Sequence, residues 1–251
     1  MTEGASTHAI ILAAGAATRL AAEVGASHKC LADVGGRPII DYQLAPLAAR
    51  GLAEAAVVVG YRAERLRSEL TARYPSLPFR FVENVDYEST NTIWSLHLAG
   101  ETLARGALLF NADVVLDPRV IERLLAADAE RSWLAVTRAA CGEEEVKVVV
   151  GPDGRIARIG KTLDPAACAG EFIGAAWFSA SCGARYAREL ASVAADHREA
   201  YFEFALDRIL AEQEVGMLDV TDLPCIEIDF PEDLERARTQ IAPEIARSLE
   251  S

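Results

Sequence analysis

Short apolar runs alternate along this chain with stretches whose apolar residues recur at helical spacing. His8–Ala13 is an apolar run ending at Ala14-Gly15, and it reads as a buried strand leaving a sheet. Pro38–Arg50 carries Ile39, Ile40, Tyr42, Leu44 and Leu47 at roughly helical spacing, with Gly51 as its stop. The same pattern predicts strands at Ala55–Val59, Phe79–Val82 and Ala107–Phe110. It predicts helices at Arg62–Tyr74, Asn91–Ala99 and Pro118–Ala127. Such strand–helix alternation builds a parallel sheet with helices on both faces.

The second half changes character. Trp133–Arg138 and Val146–Val150 read as strands, and Asp153-Gly154 marks a tight turn into Arg155–Ile159. Further strands are expected at Phe172–Ser179, Met217–Val220 and Cys225–Ile228, and helices at Tyr186–Ala195 and Tyr201–Glu212. Pro231, followed by Glu232 and Asp233, opens a last helix. The expected fold class is α/β: a Rossmann-like, three-layer α/β/α arrangement around a mostly parallel sheet, with a mixed, β-rich second half. One domain over residues 1–251 is expected, with a nucleotide-binding half at 8–130 and a second half at 131–240.

Composition narrows the functional classes. The chain has 251 residues, of which 25 are basic and 38 acidic, a formal net charge of −13. That balance argues against nucleic acid and anionic membrane as partners. No apolar run is long enough for a membrane span, and Met1–Thr7 has no basic stretch before an apolar segment. The five cysteines (Cys30, Cys141, Cys168, Cys182, Cys225) are scattered without a C-x-x-C, and there are only four histidines. A zinc site or disulfide framework is not expected, and a cytoplasmic location is.

Five groups of residues carry candidate chemistry. Leu12-Ala13-Ala14-Gly15-Ala16-Ala17-Thr18-Arg19 leaves a strand in small residues, so a phosphate can approach the backbone N–H groups. Arg19 adds a guanidinium fork and Lys29 a point charge. The alternative is an ordinary strand-to-helix turn with two solvated cations; neither a dinucleotide fingerprint nor a Walker loop is present. Asn111-Ala112-Asp113 puts a carboxylate past the end of a strand, where open α/β sheets bind ligands, and Asp229 does the same before Pro231. Each is otherwise a capping residue, but together the two hard carboxylates can share a magnesium ion. Asn84 to Ser95 is dense in amides and hydroxyls, which suit the reading of a ring edge or the capping of a helix. Lys147, Lys161, Arg138 and Glu171 are charged residues in the β-rich half, suited to an anionic ligand or to solvent.

In chain order these segments resemble the sugar-1-phosphate type of the nucleotidyltransferase superfamily, from Leu12–Leu20 through Lys29-Cys30-Leu31 to Gly35-Gly36-Arg37-Pro38. The closer resemblance is to the choline-phosphate and phosphonate cytidylyltransferase branch. It is carried by Asn84-x-x-Tyr87-x-x-Thr90-Asn91, Asn111-Ala112-Asp113, Glu145-Val146-Lys147, Gly170-Glu171-Phe172 and Glu227-Ile228-Asp229-x-Pro231-Glu232-Asp233, and it covers about residues 8–238. Ala17 departs from it, since relatives usually carry a second glycine there.

The resemblance implies transfer of CMP from CTP to a small phosphonate or phosphorylated alcohol, such as phosphonoformate, 2-aminoethylphosphonate or phosphocholine. Asp113 and Asp229 would hold magnesium, while Arg19, Lys29 and Lys147 would be catalytic. Leu12 to Arg19 with Asn84, Thr90 and Asn111 would bind the nucleotide, and Lys147, Lys161, Glu171 and Arg138 the acceptor. A homodimer is implied by fold analogy alone. Two alternatives stay open: a sugar-1-phosphate nucleotidyltransferase, and a catalytically silent nucleotide-binding subunit.

Overall fold

A computed structural model describes residues 7–16, 18–20, 25 and 27–250. Ala17, assigned above to the phosphate turn, lies outside the described residues. The strands are β1 (His8–Ala13), β2 (Glu54–Val59), β3 (Phe79–Glu83), β4 (Ala107–Asn111), β5 (Val114–Leu116), β6 (Ser132–Thr137), β7 (Lys147–Val150), β8 (Ile156–Gly160), β9 (Gly170–Phe178), β10 (Val215–Asp219) and β11 (Cys225–Glu227). The principal helices are α1 (Asp41–Arg50), α2 (Ala63–Arg73), α3 (Thr92–Leu98), α4 (Pro118–Ala126), α5 (Ala180–Val193), α6 (Glu203–Ile209), α7 (Pro231–Arg236) and α8 (Ala242–Glu250).

Nine strands form one sheet in the order β8-β7-β9-β4-β1-β2-β3, with β6 pairing β9 and β10 beyond that path. The strands β4, β1, β2 and β3 are parallel, whereas β9 runs antiparallel to β4, β6 and β7. The α/β class and the switch from a parallel to a mixed half agree with the sequence reading.

Strand alternation sends the residues of β1 into two cores. Ile10 and Leu12 pack with Leu96, Leu190 and Leu206 from α3, α5 and α6. Ala9, Ile11 and Ala13 pack with Leu44, Leu66 and Ile121 from α1, α2 and α4 on the opposite face. Each such aliphatic side chain, fully buried, contributes roughly 1.5–3 kcal/mol, so the central strand is clamped from both sides. A third cluster, including Leu20, Val34, Tyr42, Ile228 and Ile245, binds the last helices to the segment after Lys29.

Several boundaries differ from expectation. Arg37–Pro38 forms a two-residue strand with Asp33–Val34, so α1 starts at Asp41 rather than Pro38. The helix expected at Tyr186 begins at Ala180, because the Ser179 hydroxyl accepts from the Cys182 N–H and caps it there. The strand β5 and the helix α8 are additional to the sequence reading. Among the described residues no helix is long and apolar enough to cross a membrane.

Candidate active site

β1 and β4 run in parallel with Leu12 opposite Asn111, so their carboxyl ends share one edge of the sheet. Asp113 lies just beyond β4. The Ile228 N–H donates to the Asp113 carbonyl at 3.1 Å, which fastens the segment carrying Asp229 alongside it. Lys29 then joins the two side chains: its Nζ donates to Asp113 Oδ2 at 2.8 Å and to Asp229 Oδ1 at 3.0 Å. Burial opposes the lysine's charge, yet the two carboxylates hold its ammonium above the usual lysine value.

His28 sets the position of Lys29. Its Nδ1 accepts from the Cys30 N–H at 3.4 Å, which leaves Nε2 to donate to the Ala13 carbonyl at 3.0 Å. Burial lowers its pKa to about 4, so the neutral ring anchors the Lys29 turn to the end of β1 at physiological pH.

Glu227 completes an acidic group here. Its Oε1 accepts from Asn111 Nδ2 at 3.3 Å, and burial, then Asp113 and Asp229, push its pKa well upward. Asp113 Oδ1 is buried without a hydrogen-bond partner among the described residues. Hard oxygen donors and an orphaned carboxylate oxygen fit magnesium, which takes one or two protein carboxylates plus substrate phosphates and waters. Among the described residues no group of three or more His, Cys, Asp or Glu side chains is placed to hold a metal ion.

A crevice of about 450 Å³ opens over these carboxylates, lined among others by Leu12, Gly15, Ala16, Arg19, Thr90 and Asn111. A Cβ on Gly15 would meet no atom of the described residues within 4 Å, which leaves the backbone there room for a phosphate. Arg19 is exposed, with its guanidinium 4.9 Å from the centroid of the Phe230 ring. Ala13 and Ala14 are buried behind this face, their carbonyls accepting from His28 and from the Tyr61 N–H. Thr18 opens a short 3-10 turn with Arg19 and Leu20.

Asn84 is not at the crevice. It is buried, and its Nδ2 donates to Thr90 Oγ1 at 3.0 Å and to Ser95 Oγ at 3.2 Å, while its Oδ1 accepts from the Asp86 N–H. Through these bonds Asn84 positions Thr90, which does line the crevice.

The expected acceptor group is split. Lys147 is buried on β7, and its ammonium donates to the carbonyls of Glu143, Glu145 and Lys161. All three donors are taken by backbone, so Lys147 ties the loop before β7 to the end of β8, and it is not among the residues that line the crevice. Arg138 is exposed, donates to Asp219 Oδ2 at 2.6 Å, and lines a separate cavity of about 660 Å³ together with Glu171 and Glu145. That cavity shares Glu227 and Asp229 with the crevice. Burial, then Glu145, raises the pKa of Glu171. Lys161 alone of the expected acceptor cations enters the crevice, its Nζ 4.7 Å from the centroid of the Tyr201 ring.

Two further residues stand in the crevice wall. Glu203, at the start of α6, is only 4 % exposed, and its Oε2 has no hydrogen-bond partner among the described residues. Burial pushes its pKa up to about 7, against the pull of its own backbone and of Lys161. The Phe202 N–H donates to Thr92 Oγ1, and the Phe202 carbonyl accepts from the Tyr186 hydroxyl, so the helix start bearing Glu203 is held to α3 and α5. The other residue is Glu227. Its signal was its place two positions before Asp229, because strand alternation sends i and i+2 to one side. Sequence spacing could not single out Glu203, since its burial depends on α3 and α5.

Comparison with known proteins follows the same lines. A 2-aminoethylphosphonate cytidylyltransferase from Lancefieldella rimae is 29% identical over 231 residues, which cover 91% of this chain and 90% of that protein. A CMP-5'-(3-aminopropyl)phosphonate synthase from Streptomyces rubellomurinus is 38% identical over 130 residues, 52% of this chain but only 20% of its own length. In three dimensions, the CTP:phosphocholine cytidylyltransferase of Streptococcus pneumoniae superposes with a TM-score of 0.77 at 24% identity, covering 93% of this chain and 98% of that one. At that identity the likeness is one of fold. The family described as the MobA-like NTP transferase domain matches residues 9–202, and the chain belongs to it.

Proposed function

We propose that this chain is a magnesium-dependent cytidylyltransferase that moves CMP from CTP to a small phosphonate or phosphate acceptor bearing an amine, releasing pyrophosphate. The observation that carries this reading is the Lys29 bridge between Asp113 and Asp229 on the floor of the crevice. Glu203 supports the amine: a nearly buried carboxylate with a free oxygen suits an ammonium group, and Lys161 across the same crevice suits the anionic end. The names of the two aminophosphonate relatives agree with it. A triple cation cluster suited to phosphonoformate is disfavoured, because Lys147 and Arg138 are engaged elsewhere.

The transfer needs two anions aligned and their repulsion offset, with little covalent chemistry from the protein. Backbone N–H groups at Gly15 and Ala16, with Arg19, hold the β- and γ-phosphates. Lys29 takes up charge that grows around the α-phosphoryl group. Thr90, steadied by Asn84, reads the pyrimidine edge, with Leu12 backbone beside it and Asn111 at the strand end. Magnesium on Asp113 and Asp229 would supply further positive charge to the transferring group. The acceptor oxygen is already ionised near neutral pH, so no general base is required. Residues 8–130 and 131–240 would form the nucleotide and acceptor sides of one domain, in a cytoplasmic enzyme.

Pyrophosphate release from CTP, UTP, ATP and GTP against 2-aminoethylphosphonate, phosphocholine, phosphonoformate and inositol phosphate tests the reading. CTP with an amine-bearing acceptor is the expected pair. A preference for ATP or GTP contradicts the nucleotide assignment, and equal use of phosphonoformate contradicts the amine.

A further inference from the structure

Cys141 and Cys168 lie 27 positions apart in sequence, yet their sulfurs are 2.7 Å apart, with the Cys168 thiol donating to Cys141 Sγ. Both are free and half-buried, so solvent can reach them. The fold holds them together. Cys141 lies in the connection from β6 to β7, and Cys168 ends the 3-10 turn Pro165–Ala167 ahead of β9. Because β9 pairs with β6 (Glu171 opposite Thr137) and with β7 (Glu171 opposite Lys147), the two connections leave the same corner of the sheet. Neither thiol has a part in the chemistry described so far. With no third ligating side chain grouped beside them among the described residues, a soft metal ion has no site here.

We propose that Cys141 and Cys168 are a reversible dithiol–disulfide modification site, oxidised by a small disulfide of the glutathione class, and that the crosslink weakens capture of the anionic acceptor. One cysteine thiolate attacks the reagent's S–S bond and expels one thiolate, leaving a mixed disulfide. The second cysteine then displaces the other thiolate. The protein loses two electrons and two protons, and the reagent departs as two thiols. Burial, the Cys168 contact, and the nearby Glu171 and Glu145 push the Cys141 thiol up to about 12, so exchange at this cysteine is slow at neutral pH and quickens with rising pH.

The loop that Cys141 anchors is acidic and touches the acceptor side. Within it, the Gly142 N–H donates to the Glu145 carboxylate, and the Glu143 and Glu145 carbonyls accept from Lys147. Glu145 and Glu171 face one another in the cavity that shares Asp229 with the crevice. A disulfide would fix the loop bearing Glu143 and Glu145 to the turn ahead of Glu171, so that these carboxylates could not move aside for an incoming phosphonate.

The test incubates the full-length enzyme with oxidised or reduced glutathione. Free thiols in denaturant are expected to fall from five to three, and peptide mapping is expected to find Cys141 joined to Cys168. Cys168→Ser, with Cys141→Ser as a second variant, should resist the crosslink and keep unmodified turnover. The crosslinked enzyme should show at least a threefold higher acceptor KM with its CTP KM unchanged, reversed by dithiothreitol. Five remaining thiols, a bond between other cysteines, or an unaltered acceptor KM in the crosslinked form overturns the proposal. The kinetic half rests on cytidylyl transfer and the thiol count does not, so failure of one is distinguishable from failure of the other.

Discussion

Lys29 concentrates the site's electrostatics in a single side chain. Replacing it with Met should leave Asp113 and Asp229 facing each other without their shared partner. We expect kcat to fall by about 10²–10³-fold, the scale of losing one preorganised electrostatic group. Stopped pyrophosphate assays at saturating CTP measure this, and a loss below tenfold would remove Lys29 from the catalytic group. Glu203 makes the opposite kind of prediction. Its carboxyl rises from the ordinary 4.5 to about 7, so the folded state binds that proton more tightly than the unfolded one. The stability this gives is fully present below pH 4.5 and is lost as pH rises to 7. Glu203→Gln should therefore be more stable than the parent at pH 8, by roughly 3 kcal/mol from the linkage relation. Its KM for 2-aminoethylphosphonate should nonetheless rise at least about tenfold, the worth of a charge-assisted hydrogen bond. Denaturant melts at pH 5 and 8 beside acceptor kinetics check both; a variant destabilised at pH 8 with an unchanged KM contradicts the assignment.

At the scale of elements, two devices hold the site in shape. Gly174 interrupts β9 at φ +70°, where the pairing with β6 shifts register, and a Cβ there would come within 2.9 Å of Asn111 Nδ2. Gly174→Ala should cost about 1–3 kcal/mol in strain and displace Asn111. The readout is a lower melting midpoint together with a raised CTP KM. The second device is Lys147, which binds a loop to a hairpin through three carbonyls. Lys147→Met keeps the stem but strands those carbonyls, and should destabilise by about 1.5–3 kcal/mol, the range for hydrogen bonds to a charged group. A large kcat loss without loss of stability would return Lys147 to substrate contact.

Across the whole molecule, a net charge of −13 must coexist with capture of a triphosphate. The positive groups are local: Arg19 and Lys161 line the crevice and Lys29 sits at its floor, while many surplus acids pair with arginines on the exterior, as Glu122 does with Arg50 and Asp222 with Arg123. Long-range attraction then works against the substrate rather than for it. Raising ionic strength from about 0.02 to 0.2 M at saturating magnesium should therefore leave kcat/KM for CTP nearly constant or raise it, since the Debye length shortens across that range. A tenfold fall would mean that an extended basic surface, not the crevice, steers the nucleotide.

The order of strands and helices was legible because hydrophobic period is a local property: β1, β2 and β4 are apolar throughout but for one terminal residue each, and such a run is what a strand buried on both faces requires. The candidate carboxylates were legible for a related reason, since Asp113 and Asp229 each follow a strand and the ends of strands are where open sheets bind ligands. Short pieces such as β5 were not legible, because three residues carry no period and are held by pairing with β11 across the chain. Nor could spacing decide which cations meet the ligand space. Lys147 and Lys161 look alike in sequence, but the carbonyls that occupy Lys147 come from a loop and a hairpin that only folding brings together. Glu203 is the reverse case: spacing could not tell it from other carboxylates, and the burial that lifts its pKa and leaves an oxygen unpartnered exists only once its short helix is closed against its neighbours.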